Sequence, residues 1–308
     1  MKVNNEYMHE FGGFIMIYEL KNNSLHLSVS SHGGELQSIQ DSSNTEYLWQ
    51  GDTAYWGSKA PNLFPYIARL TNGMYTLDGS TYQMNSHGFV KRNDLTLVSK
   101  SDTRIQFQLM DTAETLQEYP FHFVYMLTYE LINSTISITY TVQNTDKKTM
   151  YFGLGGHPGF HVPIEKSLAF EDYELVFSTP CSPNMLLFSP TCHPTGDVEP
   201  YVLENETTIP LTHNLFDNDA IILENMAKEI SLTSSKSSKG IRISYPDMTY
   251  LGLWHKPQTD APYVCIEPWT SLPSRDGVVE DLTTQDNLIS LPPGEIYRNT
   301  WTIEILHS

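Results

Sequence analysis

Positive charge is scarce in this sequence: 18 Lys and Arg stand against 36 Asp and Glu, a formal charge of −18 over 308 residues. Such a field repels phosphate backbones and anionic lipid surfaces, so neither nucleic acid nor a membrane surface is an expected partner. A neutral small molecule is compatible with it, whereas an anionic one needs a local basic pocket. Cysteine is almost missing as well. Cys181, Cys192 and Cys265 leave one thiol unpaired in any disulfide scheme and lack metal-type spacing, which fits reduced thiols in a cytoplasm. No stretch approaches the roughly 18 uninterrupted apolar residues of a membrane helix. Glu6, His9 and Glu10 fall where a signal peptide is apolar. The expectation is a soluble, cytoplasmic protein.

Cofactor motifs are absent too. There is no Cys-x-x-Cys, and His157 and His161 are separated by Pro158 and Gly159, which cannot continue a metal-binding helix, so no metal is expected. Phosphate-loop and dinucleotide fingerprints are missing, and Gly153-Leu154-Gly155-Gly156 is not followed by a helical pattern. A Gly-x-Ser-x-Gly nucleophile elbow is likewise missing. No organic cofactor is expected.

Aromatics are abundant instead, with 18 Tyr, 13 Phe and 5 Trp, and they favour strands. Apolar residues alternate with period two in Leu25/Leu27/Val29, Ile105/Phe107/Leu109, Phe123/Tyr125/Leu127/Tyr129/Leu131, Ile136/Ile138/Tyr140/Val142, Ile241/Ile243/Tyr245 and Trp301/Ile303/Ile305. Each reads as a half-buried strand. Turn signals separate them, among them Asn72-Gly73, Asp78-Gly79 and Pro292-Pro293-Gly294, and Ser234 to Lys239 reads as an exposed hairpin tip. Helix is expected only at Thr112 to Gln117 and near Ser167 to Asp172. Residues 178–200, with prolines at 180, 183, 190, 194 and 200, read as one long irregular connection, a functional loop or flap. The predicted fold is all-β, a large antiparallel β-sandwich, with residues 1–15 a short extension and 16–308 a single domain.

Five polar residues interrupt apolar or glycine-rich segments. Arg69 follows Phe64-Pro65-Tyr66-Ile67-Ala68, His87 precedes Gly88-Phe89, and His157 precedes Pro158-Gly159-Phe160. Asp219 precedes Ala220-Ile221-Ile222-Leu223, and Glu267 precedes Pro268-Trp269. Rings beside carboxylate, imidazole and guanidinium groups suit a sugar, whose C–H faces stack while its hydroxyls hydrogen-bond. Each also has a structural reading: Arg69 as an ion-pair partner of Asp219, His87 as a cap before Gly88, Asp219 as a turn residue, and His157 and Glu267 as polar groups satisfied by backbone. His32, His161, His213 and His255 also stand near turns or strands, so the residues alone do not choose the pair.

Taken together, several segments resemble the aldose 1-epimerase (galactose mutarotase-like) family, in its branch of LacX-like proteins and hexose-6-phosphate epimerase relatives. They are Asn62 to Leu70 followed by Asn72-Gly73-Met74-Tyr75 and Leu77-Asp78-Gly79, then His87-Gly88-Phe89, then Gly155 to Phe160, then Leu253 to Pro257, and Cys265 to Trp269. The likeness runs from Met16 nearly to the end. It implies a β-sandwich and a sugar substrate, with Glu267 as catalytic base, His157 as acid, and Arg69, His87 and Asp219 as sugar-binding residues. Trp254 and Phe160, within the matching segments, are the aromatic candidates for the sugar face. Galactose mutarotases carry His-Gly-Gly and Glu-Thr-Gln where this chain has His87-Gly88-Phe89 and Glu267-Pro268-Trp269, so galactose does not follow. Phosphate-handling relatives show arginine at Lys91, beside Arg92, which leaves hexose phosphate open.

Such an activity interconverts α and β anomers by acid/base ring opening, and the residue types agree with it. A carboxylate of pKa near ~4.3 is ionised at neutral pH, and an imidazole near ~6.5 is readily tuned to donate. The alternatives are a non-catalytic carbohydrate-binding protein and a glycosidase in which Asp219 is the second acid. Oligomeric state is left open.

Overall fold

The computed structural model of the chain describes residues 6–8 and 14–307, so the expected extension over 1–15 falls largely outside the described residues. Within them, Glu6–Met8 pairs antiparallel with the start of the strand Phe14–Lys21. Regular structure is almost all antiparallel sheet. A nine-stranded sheet runs in the order Thr208–Pro210, Glu174–Phe177, Glu229–Ser234, Ser237–Ser244, Ile296–Leu306, Thr135–Asn144, Phe123–Ile132, Arg104–Met110, Thr96–Lys100. Its middle was legible in the alternation. Phe123, Tyr125, Leu127, Tyr129 and Leu131 are all buried and face Ile136, Ile138, Tyr140 and Val142 on the adjoining strand. Between those strands Asn133 turns the chain at φ 54°, as asparagine readily does.

An eight-stranded sheet packs over this one. Its order is Pro194–Pro200, Asn184–Phe188, Ile221–Glu224, Tyr250–Trp254, Tyr263–Trp269, Gly155–Gly156, Asn62–Leu63, and Gly159–His161 also pairs with Tyr263–Trp269. The two sheets meet where the Tyr140 hydroxyl donates to Asn62 Oδ1 at 3.0 Å and the Trp301 ring lies against Gly156. One apolar core runs through both and takes in Leu20, Leu27 and Ile39 of a four-stranded sheet. Tyr263–Trp269 is buried along its whole length, so its sequence reads as a continuous run and not as an alternation.

Helix is a minor component at both expected places, and three further 3-10 turns, Thr71–Gly73, Val90–Arg92 and His213–Phe216, lie outside them. Thr115–Glu118 forms a short α-helix after a Thr112–Thr115 hydrogen-bonded turn, and Phe170–Asp172 forms a single 3-10 turn. The Ser234–Lys239 tip and the Asp78-Gly79 turn also close hairpins, the latter with φ of 51° and 75°. Residues 178–200 differ from the reading as irregular. They form a β-hairpin, Asn184–Phe188 paired with Pro194–Pro200, with a register shift between Leu186 and Phe188. Its prolines disguised it: Pro194 and Pro200 end the outermost strand of the sheet, where a missing N–H breaks no ladder.

Near the sheet edge, the turn His87-Gly88-Phe89 is pinned to Phe64, whose carbonyl accepts from the N–H groups of Phe89 (3.0 Å) and Val90 (3.2 Å). The Phe64 ring sits among Phe89, Phe123, Tyr125 and Phe152 at 5.0 to 6.1 Å between centroids. Gly88 has φ 69°, and a Cβ there would lie 2.2 Å from the Phe64 oxygen. Gly88→Ala therefore combines backbone strain with a clash against main chain that cannot yield. A stability loss of at least ~2 kcal/mol is expected, read as a lower urea midpoint.

Candidate functional site

The strand Tyr263–Trp269 supplies the floor of the site. With period two, Cys265, Glu267 and Trp269 share one face. Opposite Glu267 on the next strand is Gly252, where a Cβ would come within 3.3 Å of the Glu267 Cβ and 3.2 Å of the Trp269 ring. On the other flank, Gly155 pairs with Trp269 and Gly159 with Cys265. His157 stands between these short strands, its N–H bonded to the Pro61 carbonyl at 3.1 Å. That brings His157 Nε2 to 3.3 Å from Glu267 Oε2.

Rings and a turn build the walls. Trp56 stacks on His157 with centroids 4.8 Å apart, and Trp254 and His87 meet the imidazole edge-on at 5.8 and 5.4 Å. His87 adopts φ 64° and trades two bonds with Ala68: its N–H donates to the Ala68 carbonyl (2.8 Å), and its Nδ1 accepts from the Ala68 N–H (3.1 Å). The neutral ring therefore carries its proton on Nε2. Asp219 accepts from Trp254 Nε1 at 2.8 Å and from the Cys192 thiol at 3.0 Å. These partners take the place of the Arg69–Asp219 ion pair that the sequence allowed. Arg69 is anchored through its carbonyl, which accepts from Ser274 N–H at 3.0 Å.

Together these side chains enclose a cavity of about 320 Å³, lined by Arg69, His87, Lys91, His157, Asp219, Trp254 and Glu267, with Trp56, Phe188, Cys192 and Trp269 among the remainder. The size falls within the range of small-molecule sites. Glu267 Oε2, His157 Nδ1 and Trp269 Nε1 are buried there without a hydrogen-bond partner. Natural proteins rarely leave such atoms unsatisfied.

Charge in this cavity is governed by burial. Burial, then the Asp219 carboxylate, push the Glu267 carboxyl well above the usual range. His157 is driven down to about 3 by burial, with the Lys91 ammonium acting in the same direction. His87 is also lowered by burial, and by His157, Lys91 and Arg69. Burial thus disfavours the charged forms of both imidazoles and of Glu267 alike. Lys91 is lowered by burial while its neighbour Arg92 pairs with Glu118 at 3.0 Å, so Lys91 is the cation of the two that reaches the cavity.

The structure thus gathers Glu267, His157, Arg69, His87, Asp219 and Trp254 around one hollow. Phe160 is separated from them. It is fully buried in the main core, because Gly159 takes the face toward Trp56 and alternation turns Phe160 to the other side. Trp56, Cys192 and Phe188 were missed. Trp56 lies in the turn-rich stretch 51–59, where a large ring outside any alternating strand was the available signal. A potential donor set of His157, Cys265 and Glu267 has ligating atoms within 4.8 Å of one another. Burial and Glu267 raise the Cys265 thiol, so thiol and carboxyl hold protons that a metal would have to displace.

Comparison with known proteins agrees with this fold. The family model for aldose 1-epimerase matches residues 16–304. The chromosomal and plasmid LacX proteins of Lactococcus lactis subsp. lactis are each 32% identical, over 95% of this chain and 100% of theirs. Among solved structures, a galactose mutarotase related enzyme from Lactobacillus acidophilus superposes with a TM-score of 0.90 at 31% identity, covering 95% of this chain and 98% of that one. A galactose mutarotase-like protein from Lactobacillus casei gives 0.88 at 32%, covering 94% and 99%. With its antiparallel sheets, its glycine-cleared floor and this match over nearly the full length, the chain belongs to the aldose 1-epimerase family.

Proposed function

We propose that the protein is a mutarotase that interconverts the α and β anomers of a hexose or hexose phosphate, with Glu267 as base and His157 as acid. The observation that carries this reading is the approach of His157 Nε2 to Glu267 Oε2, 3.3 Å apart on the floor of a cavity. Anomerisation requires a proton to leave O1 as another reaches the ring oxygen. The C1–O5 bond then breaks and C1 becomes an aldehyde; rotation about C1–C2 and reversal of both transfers give the other anomer. Arg69, His87, Asp219 and Trp254 surround the space where the sugar's hydroxyls and faces would lie. Lys91 and Arg69 are the cations of the cavity that a phosphate substituent would meet.

Proton bookkeeping supports the pair. Burial favours the acidic proton on Glu267, and passing it to His157 yields carboxylate and imidazolium without changing the net charge. Burial and Lys91 oppose the imidazolium; sugar hydroxyls donating to the carboxylate favour the transfer. The working unit is the pair with one acidic proton, and its titration belongs to both groups.

Wild-type enzyme should accelerate exchange of α-hexose anomers in polarimetry or NMR, and Glu267→Gln or His157→Asn should each reduce kcat by roughly 10²–10⁴-fold. Exchange no faster than buffer in the presence of demonstrable sugar binding would favour a non-catalytic carbohydrate-binding protein. Activity should also fall on the alkaline side, as the raised Glu267 pKa is passed and the pair loses its proton.

A second expectation concerns stability. Because Glu267 is raised in the folded state, it contributes stability below its unfolded pKa of ~4.3 that is lost as pH rises through the folded value. Glu267→Gln removes this dependence. Its Tm should equal or exceed that of the wild type at neutral pH and decline less from acid to neutral solution. A steeper decline in the variant would show that the carboxyl is not held protonated.

A further inference from the structure

The imidazole of His157 is held in an unusual way. Its Nε2 faces Glu267 Oε2 at 3.3 Å, while Nδ1 is buried with no hydrogen-bond partner among the described residues. A histidine that moves protons at one nitrogen is ordinarily oriented by a hydrogen bond at the other. His87, beside it, has such a bond, its Nδ1 accepting from the Ala68 N–H at 3.1 Å. His157 lacks one, so packing has to set the plane of its ring.

Trp56 supplies that packing. Its indole lies 4.8 Å from the imidazole at an interplanar angle of 24°, whereas Trp254 and His87 meet the same ring edge-on at 85° and 73°. The indole is itself braced by Trp254 and Tyr263, at 5.7 and 5.8 Å between centroids. Four hydrogen bonds tie down the turn that carries it. The Trp56 N–H donates to the Asp52 carbonyl (2.9 Å), and Trp49 Nε1 donates to the Trp56 carbonyl (2.8 Å). Lys256 Nζ donates to the Ala54 carbonyl (2.9 Å), and the Tyr55 hydroxyl to Asp260 Oδ1 (3.0 Å). Gly159 leaves the ring its space, since a Cβ there would lie 3.0 Å from the indole.

We propose that Trp56 is the positioning residue of His157: its stacked indole replaces the missing bond at Nδ1, fixing the plane in which Nε2 meets Glu267 and keeping water off the ring. This rests on the mutarotase reading and deepens it. Facing the imidazole are Glu267 and Cys265 from the floor strand, His87 and Lys91 from the turn beside it, and Arg69 and Asp219 across the cavity. Burial, with Lys91 in the same direction, holds His157 at about 3. Without the indole, water reaches the ring and its pKa moves up toward the ordinary ~6.5. Attraction of the indole face for an imidazolium acts in the opposite sense and is the smaller effect, because burial keeps His157 low in spite of it.

The test compares wild type with Trp56→Phe, which keeps a stacked ring, and with Trp56→Ala and Trp56→Gln, which remove it; the glutamine fills the space if alanine loosens the turn. Histidine C2–H resonances are followed by NMR from about pH 5 to 8, a range set around the ordinary imidazole pKa, with His157 assigned through its loss in His157→Asn. Anomer exchange of glucose, galactose and mannose is measured on the same folded proteins. In wild type the His157 resonance should not titrate over this range. In the ring-less variants it should titrate at about pH 6, and kcat should fall about tenfold or more with KM changed less than about threefold. Trp56→Phe should return both readouts toward wild type. A His157 resonance that still fails to titrate in a folded ring-less variant, an unchanged kcat there, or a Trp56→Phe as damaged as Trp56→Ala overturns the inference. Absence of exchange for all three sugars in wild type overturns the mutarotase reading instead, and the titration then decides alone whether Trp56 governs the environment of His157.

Discussion

Glu267 and His157 face each other across 3.3 Å in a place that water barely reaches, and most of the local architecture serves to make that placement possible. Neither charged form is well solvated there, so burial moves the two groups in opposite senses, the carboxyl up and the imidazole down. Burial thus favours the neutral pair that keeps a single acidic proton. A carboxyl and an imidazole in water would instead lose that proton near neutral pH. The low-dielectric floor thus favours retention of that proton, at the expense of leaving Glu267 Oε2 and His157 Nδ1 without a hydrogen-bond partner.

The two carboxylates of the cavity show how environment divides similar groups. Asp219 accepts from an indole and a thiol at the half-exposed rim, while Glu267 lies on the floor with no hydrogen-bond partner for Oε2. The charge of Asp219 in turn raises Glu267 further. Asp219 therefore has an electrostatic reach beyond its own hydrogen bonds, and its two donors keep the carboxylate oriented while it exerts it.

Much of this was legible in the sequence. The Phe123–Ile132 and Thr135–Asn144 strands alternate because one face of each meets the core, and Asp78-Gly79 closes its hairpin because both residues accept positive φ. His157 and Glu267 were visible as polar intrusions into apolar strand sequence. What stayed hidden depended on three-dimensional direction. Phe160 belongs to the same short motif as His157, yet strand alternation sends it into the core. Arg69 and Asp219 carry opposite charge, yet Trp254 and Cys192 satisfy the carboxylate. Trp56 comes from a distant turn, so no local pattern announces that its ring will cover His157. The 184–200 hairpin was masked by prolines that a central strand would not tolerate but an edge strand does.

A division of labour between floor and rim follows from where each part sits in the sheet. Glu267 belongs to a strand paired on both flanks and buried throughout, so its position is fixed by ladders that cannot shift singly, and His157 is held between two short strands that pair with that same strand. Proton transfer over short distances needs that rigidity, since a displacement of an ångström removes most of the benefit of positioning. The rim is formed by an edge hairpin and a loop, joined by a thiol hydrogen bond and outlined by half-exposed side chains. Such elements lie at the low-stability end of a fold and can alter without disturbing the core. The fold thus sets a rigid, buried floor beneath a more adaptable edge, where Phe188, Cys192 and Asp219 border two cavities at once.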